Sequence, residues 1–351
     1  MCLWRNRQLK IRPESFRFHE YVLFATVTLV TLILCICIGS VNIPVKETIR
    51  VIWRAISGLS MAESKAVPIL LSVRLPRVLC VGLVGASLSL CGGAMQGLLK
   101  NPLADGSTLG VSSGAALGAV VAIAFGLTIP AFPFAGTMTM AMLFAFVSLT
   151  VILALAYRLD ASLATHTIIL IGITYSMFVS SIMTLVITFA GEKVKHITFW
   201  MMGSLQGSSY ANALVLLSAL LLFGGVILRH SRELNAFAIG EDNARAIGVN
   251  VKRVRLIVLI CVSALIGVCV SIGGTIGFIG LVTPHMVRMI VGPNHRRLLP
   301  ATMMGGATFL MLADLVARVL LNPLELPIGV VTSFIGSIMF ISIFYSSRKV
   351  K

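Results

Sequence analysis

The residue types that could bind a metal ion or act in catalysis are few and scattered in this chain of 351 residues. Its six histidines never stand at the helical spacing of a metal-binding pair such as H-E-x-x-H. Its seven cysteines form no C-x-x-C pair, and no phosphate-binding loop is present. The sequence therefore predicts no catalytic residues, no metal site and no cofactor.

The composition indicates the setting in which any remaining polar residues act. Apolar residues make up 58% of the chain, charged residues only 11%, and the mean hydropathy is +1.00. Such a chain lies outside the range of soluble domains, and ten of its apolar stretches approach or exceed the about 20 residues that cross a bilayer as a helix. They lie at 21–40, 76–97, 107–129, 134–157, 166–190, 211–229, 255–275, 276–292, 300–321 and 326–346. We therefore predict an all-α integral membrane protein with about ten transmembrane helices.

The eighth stretch, 276–292, differs from the others. It contains Gly277, Gly280, Pro284 and Arg288, which weaken or interrupt an apolar helix. Broken helices occur at membrane depth only where protein surrounds them, because their freed backbone groups need partners. We expect a short or interrupted helix packed inside the bundle.

The distribution of charge predicts the orientation of the chain. Its net charge is +16, and most of its 28 lysines and arginines fall in residues 1–20, the 229–255 segment and other loops of the same side. Cytoplasmic loops carry an excess of Lys and Arg. Both termini are therefore predicted to be cytoplasmic, and the charge needs no nucleic-acid partner.

Acidic residues that could couple transport to an ion gradient are scarce. Asp105 and Asp160 lie in turns, and Asp314 shares the ninth span with Arg318 at i, i+4 spacing. Ionisable groups at mid-membrane are costly and mark proton or ion pathways. The sequence shows little machinery of this kind.

The segment "RELNAFAIGEDNARAIGVNVKRVR", residues 232–255, is charged and helical in pattern, although apolar spans flank it. Glu241 and Asp242 suit a helix start, and Gly248 suits a helix end. Two interpretations remain open. The segment is either a helical hairpin on the membrane surface or a docking element for a soluble cytoplasmic subunit.

Four motifs carry a resemblance to a known family. They are "RLPRVLCVGLVGASLSLCGGAMQGLLKNPLADGSTLGVSSGAALGAV", "FAIGEDNARAIGVNVKRVR", "GFIGLVTPHMVRMIVGPNHRRLLP" and "ELPIGVVTSFIG". Together they resemble, in the same order, the FecCD-type permeases of ABC importers for iron-siderophores, haem and cobalamin. The resemblance extends from about residue 20 to the end.

The resemblance implies an architecture and partners. It implies one permease domain over 1–351, with a cytoplasmic N-terminal segment 1–20 and a cytoplasmic coupling loop 230–254. Such type II importers pair two permeases, as a homodimer or a heterodimer, around a central passage in the bacterial cytoplasmic membrane. Two ATPase subunits lie beneath them, and a substrate-binding protein docks outside.

The resemblance also implies roles for three sets of residues. The ATPase-coupling set is Gly240, Glu241, Ala244, Arg245 and Gly248. The binding-protein docking set is Arg74, Arg77 and Arg318. The translocation-gate set is Asn101, Pro102 and Leu103 together with Thr165, His166 and Thr167.

Other interpretations of these residues stay open. Arg74 and Arg77 would also anchor the end of a span, and Arg318 would also pair with Asp314. Where the family has a motif resembling IGAPFF, this chain has "IGSIMF", with Ser337 and Ile338 in place of Ala-Pro. We therefore expect a straighter tenth helix.

A ferric siderophore is the favoured substrate, ahead of haem and cobalamin. Selectivity in such importers is expected to lie largely in the binding protein. The alternatives to an importer subunit are a secondary transporter without an ATPase and an intramembrane enzyme, for which the sequence offers no convergent polar residues.

Overall fold

The computed structural model describes residues 18–41, 43–57, 66–127, 135–160 and 164–349. In these ranges the regular elements are helices, apart from one isolated bridge between Leu321 and Leu324. The helices are α1 Phe18–Cys37, α2 Val45–Ile56, α3 Ala66–Leu98, α4 Val111–Phe125, α5 Ala135–Leu159, α6 Thr165–Thr188, α7 Val194–Met201, α8 Tyr210–Arg229, α9 Ser231–Ile239, α10 Glu241–Ala246, α11 Val251–Gly273, α12 Ile279–Val291, α13 His295–Val319 and α14 Ile328–Lys349. The all-α prediction is confirmed.

The ten predicted spans each correspond to one of these helices. Seven are long and apolar enough to cross a membrane, namely α1, α3, α5, α6, α8, α11 and α13. Three are shorter apolar helices, α4, α12 and α14. The chain is therefore a multi-pass helical membrane protein.

Two spans differ in length from their predictions. α3 begins at Ala66 rather than 76, and its 33 residues pass through a π-helical turn at Ile69–Arg74. At about 1.5 Å per residue it exceeds the about 30 Å of hydrocarbon and projects beyond it. α4 has only 15 residues, because a 3-10 turn at Gly106–Leu109 and the left-handed Gly110 precede it.

The centre of the bundle is α3. In its apolar window 78% of the residues are buried, against 22% in α6 and 17% in α1. α3 packs against α11, α12 and α13, whereas α1, α5 and α6 present apolar side chains outward. Outward apolar side chains on spanning helices are what a bilayer solvates.

The interruption predicted near the eighth span is confirmed. α12 has 13 residues and contains Pro284, and a non-helical stretch, 274–278, connects it to α11. Phe278 has a φ of 66°, which is rare for a residue with a side chain. Its side chain lies against α14, where a methyl group added to Gly336 would be 2.6 Å from Phe278 Cβ. Ser337 and Ile338 lie within the continuous helix α14.

Candidate functional site

Residues 231–248 form two short helices, α9 and α10, which we call the hairpin. The hairpin lies at the end of the bundle where α8 stops at Arg229 and α11 begins at Val251. α3 ends and α13 begins at the same end, because α9 packs against both. The hairpin is thus attached to α3 and α13 as well as to its neighbours in sequence, α8 and α11.

One face of the hairpin is buried in the protein. Leu234, Phe237 and Ala244 are at most 1% exposed. Ala244, which the resemblance assigns to ATPase contact, therefore supports the hairpin from inside. The charged segment is a folded extension of the bundle, and its buried side chains belong to the core of the bundle.

The opposite face carries exposed apolar side chains. Ile239 is 70% exposed and Ile247 is 69% exposed, on a hairpin whose Asp242 and Arg245 are also exposed. Large apolar side chains outside the spanning helices are costly in water and often mark interaction sites. This face is suited to contact with another protein.

The turn between α9 and α10 depends on glycine. Gly240 has a φ of 136°, a backbone conformation that side chains disfavour, and its carbonyl accepts from Ala244 N at 2.9 Å. α10 therefore starts sharply after α9. This geometry explains why the hairpin requires glycine at this position.

Charge pairs tie α10 to α11. Arg255, which is 1% exposed, donates to the carboxylate of Glu241. Arg245 lies 3.8 Å from Glu241 and 3.6 Å from Asp242. Glu241 therefore holds the hairpin to the spanning part through a buried partner, and Arg245 is left largely exposed.

The three predicted docking arginines lie together at the opposite end of the bundle. Arg74, Arg77 and Arg318 are only 4%, 8% and 3% exposed. Arg74 donates to the carbonyls of Ile36 and Cys37, so it covers the end of α1. The three arginines thus lie together, but their side chains point toward the interior of the protein. Direct contact with a partner stays a prediction.

Asp314 is the centre of this arginine cluster. Its Oδ1 accepts from Arg77 Nε at 3.1 Å and Nη2 at 2.9 Å, and its Oδ2 lies 2.8 Å from Arg318 Nε. Arg77 Nη1 also donates to Glu325 at 2.7 Å. The pairing of Arg318 with Asp314, one of the two interpretations above, is present in the structure.

Glu325 lies outside the spanning helices and makes this cluster sensitive to pH. Burial alone would raise the pKa of its carboxyl, but hydrogen bonds from Gln206 and Arg77 and the charges of Arg77 and Arg318 lower that pKa below its ordinary value. A lowered carboxyl pKa stabilises the fold above the ordinary value, and this stabilisation is lost as pH falls through the folded-state pKa.

We therefore expect a pH-dependent difference between the wild type and Glu325→Gln. At neutral pH the variant should unfold at a lower temperature, because Gln cannot form the charged pair. Below pH 4.5 the two unfolding temperatures should converge. The measurement is thermal unfolding in detergent across a pH series, and a gap that stays constant to low pH would contradict the pairing.

The predicted gate residues lie on two separate elements at the hairpin end. Asn101 starts a turn after α3, in which its Oδ1 accepts from Leu103 N at 2.9 Å. Pro102 and Leu103 are exposed at the tip of this turn. It is therefore a small ordered protrusion, and a gate role for it stays a prediction.

The second gate segment opens α6. The Asp160 carboxylate accepts from Ala164 N at 3.0 Å and from Thr167 Oγ1 at 3.4 Å, and His166 is exposed beside the half-buried Thr165. Asp160 thus holds the start of this helix. Lys252 lies 4.5 Å from the Tyr157 ring, which places this region beside the start of α11 at the hairpin end.

A cavity of about 110 Å³ lies inside the bundle beside the non-helical stretch 274–278. Asp105, Ser112 and Thr275 contribute its polar lining, and Leu88 and Ile266 its apolar lining. Its volume suits a few water molecules. It is well below the about 300 to 1,000 Å³ of pockets for drug-sized ligands.

Sequence reasoning missed several residues that organise these sites. Arg255, Glu325 and Asn235 each bond a partner that lies distant in the chain or on another element. Arg255 gave one usable signal, a charged residue just inside an apolar span. The partners of the other two depend on how the helices pack, and no spacing pattern reveals them.

Comparison with known proteins shows the family to which this architecture belongs. The family model described as the FecCD transport family matches residues 27–346. The chain belongs to this family. It is a membrane permease of the ABC importer type, and the resemblance of its four motifs is confirmed.

Relatives and a solved structure agree over nearly the whole length. The chain is 38% identical over 338 residues to the uncharacterised ABC transporter permease YvrB of Bacillus subtilis, covering 96% of each chain. It is 33% identical over 343 residues to the molybdate import permease MolB of Haemophilus influenzae, covering 97% of this chain and 98% of MolB. A metal-chelate-type ABC transporter in an inward-facing conformation has a TM-score of 0.81 and 32% identity, covering 93% of this chain and 99% of that one.

Proposed function

We propose that the chain is the permease of an importer in which a separate ATPase binds the hairpin and a binding protein delivers substrate at the opposite end. The observation that carries this proposal is the hairpin itself. It lies at one end of the bundle, is held by buried apolar side chains and an ion pair, and presents Ile239 and Ile247 to solvent. The excess of Lys and Arg at its end supports a cytoplasmic location, where an ATPase has access to ATP.

The attachment of the hairpin supports a mechanism. α8 and α11 continue directly from it, and α9 packs on α3 and α13. When the ATPase pair closes on ATP, a hairpin held in its surface moves with it, and four spanning helices receive that displacement. Alternating access then follows from relative movement of these helices.

A hairpin variant tests the ATPase contact. We expect Ile239→Glu with Ile247→Glu to weaken the affinity of the permease for the ATPase by about 30-fold or more. The change removes an apolar contact worth about 2 kcal/mol and places two carboxylates in the interface. The measurement is the ATPase recovered per permease after affinity purification in mild detergent.

Lys195→Glu is the matched control. It also lowers the net charge by two and lies exposed, in α7 on the other side of the predicted membrane. Its ATPase recovery should equal that of the wild type. Full recovery in the double isoleucine variant would show that this face does not bind the ATPase.

The passage is proposed to form between two permease chains. The cavity of about 110 Å³ within one chain is too small for a metal chelate, which needs pockets of about 300 Å³ or more. We propose that the second chain is another copy or a related permease, and that both lie in the bacterial cytoplasmic membrane with their termini inside.

The proposed cargo is a metal chelate, a ferric siderophore first. The likeness to a metal-chelate-type transporter supports this class. A relative named for molybdate import shows that family membership alone does not fix the substrate. Haem and cobalamin are the alternatives, and a substrate retained by the co-purified binding protein would distinguish them.

A further inference from the structure

The end of α3 that faces the hairpin contacts two other helices closely, α12 and α13. Gln96 Nε2 donates to Leu281 O of α12 at 3.1 Å, and Gln96 Oε1 accepts from Arg288 at 2.9 Å. The next residue, Gly97, faces His295, the first residue of α13. A methyl group added to Gly97 would lie 2.3 Å from His295 Nε2. The end of α3 therefore cannot move independently of α12 and α13.

His295 is in turn bonded to the hairpin. Its backbone N and its Nδ1 both lie 2.8 Å from Oδ1 of Asn235, a residue of α9. Asn235 Nδ2 donates to Asn294 Oδ1 at 2.9 Å. His295 is only 4% exposed, whereas Asn235 is half-buried.

The directions of these hydrogen bonds follow from one another. Asn294 Oδ1 accepts from the backbone N of Arg296, which can only donate, so the orientation of the Asn294 amide is set. Asn235 must then donate to that oxygen through its nitrogen and turn its own oxygen to His295. Because this oxygen only accepts, His295 Nδ1 carries the proton.

Helix capping accounts for only part of the contacts of Asn235, whose Oδ1 accepts from the backbone N of His295 at the start of α13 and also from the ring of the same residue. Asn294 already caps α13, and Asn235 adds a link to a helix about sixty positions away in sequence. The link ends at Gly97, four positions before Asn101, where the turn with Pro102 and Leu103 begins. Contacts thus run from the hairpin through His295 to Gly97, and the backbone of the chain continues from Gly97 to this turn.

We propose that Asn235 and His295 are positioning residues that form a junction transmitting movement of the hairpin to the turn at residues 101–104. The proposal rests on the proposed function, since it assigns the hairpin movement to a bound ATPase. It adds a transmitting contact at one Asn–His pair and one glycine to the direct continuation of the hairpin into α8 and α11.

The test uses the assembled permease and ATPase with Leu103→Cys as a reporter. Leu103 is 51% exposed, so a cysteine at this position is accessible to a thiol reagent. The labelling rate of the native cysteines, measured in the chain that keeps Leu103, is subtracted. In the parent complex, trapping the ATPase with ATP and vanadate should change the labelling rate by about fivefold, as for an ordinary coupling between sites. In Asn235→Ala and His295→Gln this response should fall below about twofold, while ATPase binding and hydrolysis persist.

A double variant separates a junction from two independent structural roles. The double variant, Asn235→Ala with His295→Gln, should show a change in labelling rate no smaller than that of either single variant. The effects of two substitutions in one contact do not add. Asn250→Ala is the control, because Asn250 is an ordinary cap of α11 beside the same hairpin. It should keep the full response. If His295→Gln fails to assemble, Gly97→Ala tests the same contact from the α3 side and should also lose the response.

The outcomes separate this proposal from the proposed function. A response in Asn235→Ala and His295→Gln equal to that of the parent would overturn the junction and leave the function intact. A parent complex that binds ATPase but shows no response at Leu103→Cys would also overturn the junction. A parent that recovers no ATPase would overturn the proposed function itself.

Discussion

Asp314→Asn is expected to lower the free energy of unfolding by about 3 to 5 kcal/mol, because it leaves buried arginines without their shared anion. Asp314 is 1% exposed and contacts both Arg77 and Arg318. Asparagine keeps the shape but not the charge, and two guanidinium groups cannot be rehydrated where they lie. The measurement is the unfolding temperature of the purified permease in mild detergent, together with the yield of monodisperse protein.

Asp242→Asn is the control for this prediction. Its carboxylate is 99% exposed and lies 3.6 Å from Arg245, so the same chemical change removes only a solvated pair. Exposed pairs contribute at most about 1 kcal/mol. Equal unfolding temperatures for the two variants would show that the arginine cluster does not stabilise the fold.

Gly92→Ala is expected to be more disruptive than its size suggests. The added methyl group would lie 1.9 Å from Gly280 O and 2.4 Å from Gly280 C, both backbone atoms of α12. Backbone atoms cannot make room by changing rotamer, as a side chain can, so α3 and α12 must separate. Overpacking of this kind costs about 1 to 3 kcal/mol and sometimes more. We expect reduced folding yield, a lower unfolding temperature and loss of uptake.

Gly225→Ala tests whether the effect comes from the helix crossing. Gly225 also lies in a spanning helix, α8, but no heavy atom lies within 4 Å of the added methyl group. Alanine in a helix is favoured over glycine by about 0.5 to 1 kcal/mol, so this variant should be as stable as the wild type or slightly more stable. A Gly92→Ala permease that folds and transports equally well would contradict the close packing of α3 on α12.

Much of the fold could be predicted because the bilayer restricts what the chain can do. Span length and apolar content gave all ten apolar helices, and Pro284 with its neighbouring glycines indicated the short α12. The start of α3 at Ala66 was missed, because Pro68, Arg74 and Pro76 interrupt the apolar pattern before residue 77. The shortness of α4 was missed because a left-handed glycine, not hydropathy, sets where it begins.

The candidate sites were predictable in position but not in internal contacts. Charge and capping patterns located the hairpin, yet they could not tell that Ala244 points inward while Ile239 and Ile247 point outward. The resemblance grouped Arg74, Arg77 and Arg318 as docking residues, and they lie at one end of the bundle, where Asp314 and the carbonyls that end α1 bind them in the interior. The direction of a side chain is a consequence of packing, and a sequence pattern carries little of it.

These contacts define how the two ends of the molecule differ. The hairpin end presents exposed apolar and charged side chains on a small element whose inner face packs into the core of the bundle. The opposite end gathers three arginines into a cluster that joins α1, α3, α13 and Glu325. In the proposed importer, substrate would enter at the end that holds this cluster, and the ATPase would act on the hairpin end.

The most direct test of the importer account is affinity purification of the chain from its native membranes in mild detergent, with its stoichiometric partners identified by mass spectrometry. We expect a P-loop ATPase at one copy per permease. Repeated recovery of the chain alone, from membranes whose vesicles take up substrate with an ion gradient and no ATP, would contradict the account and indicate a secondary transporter.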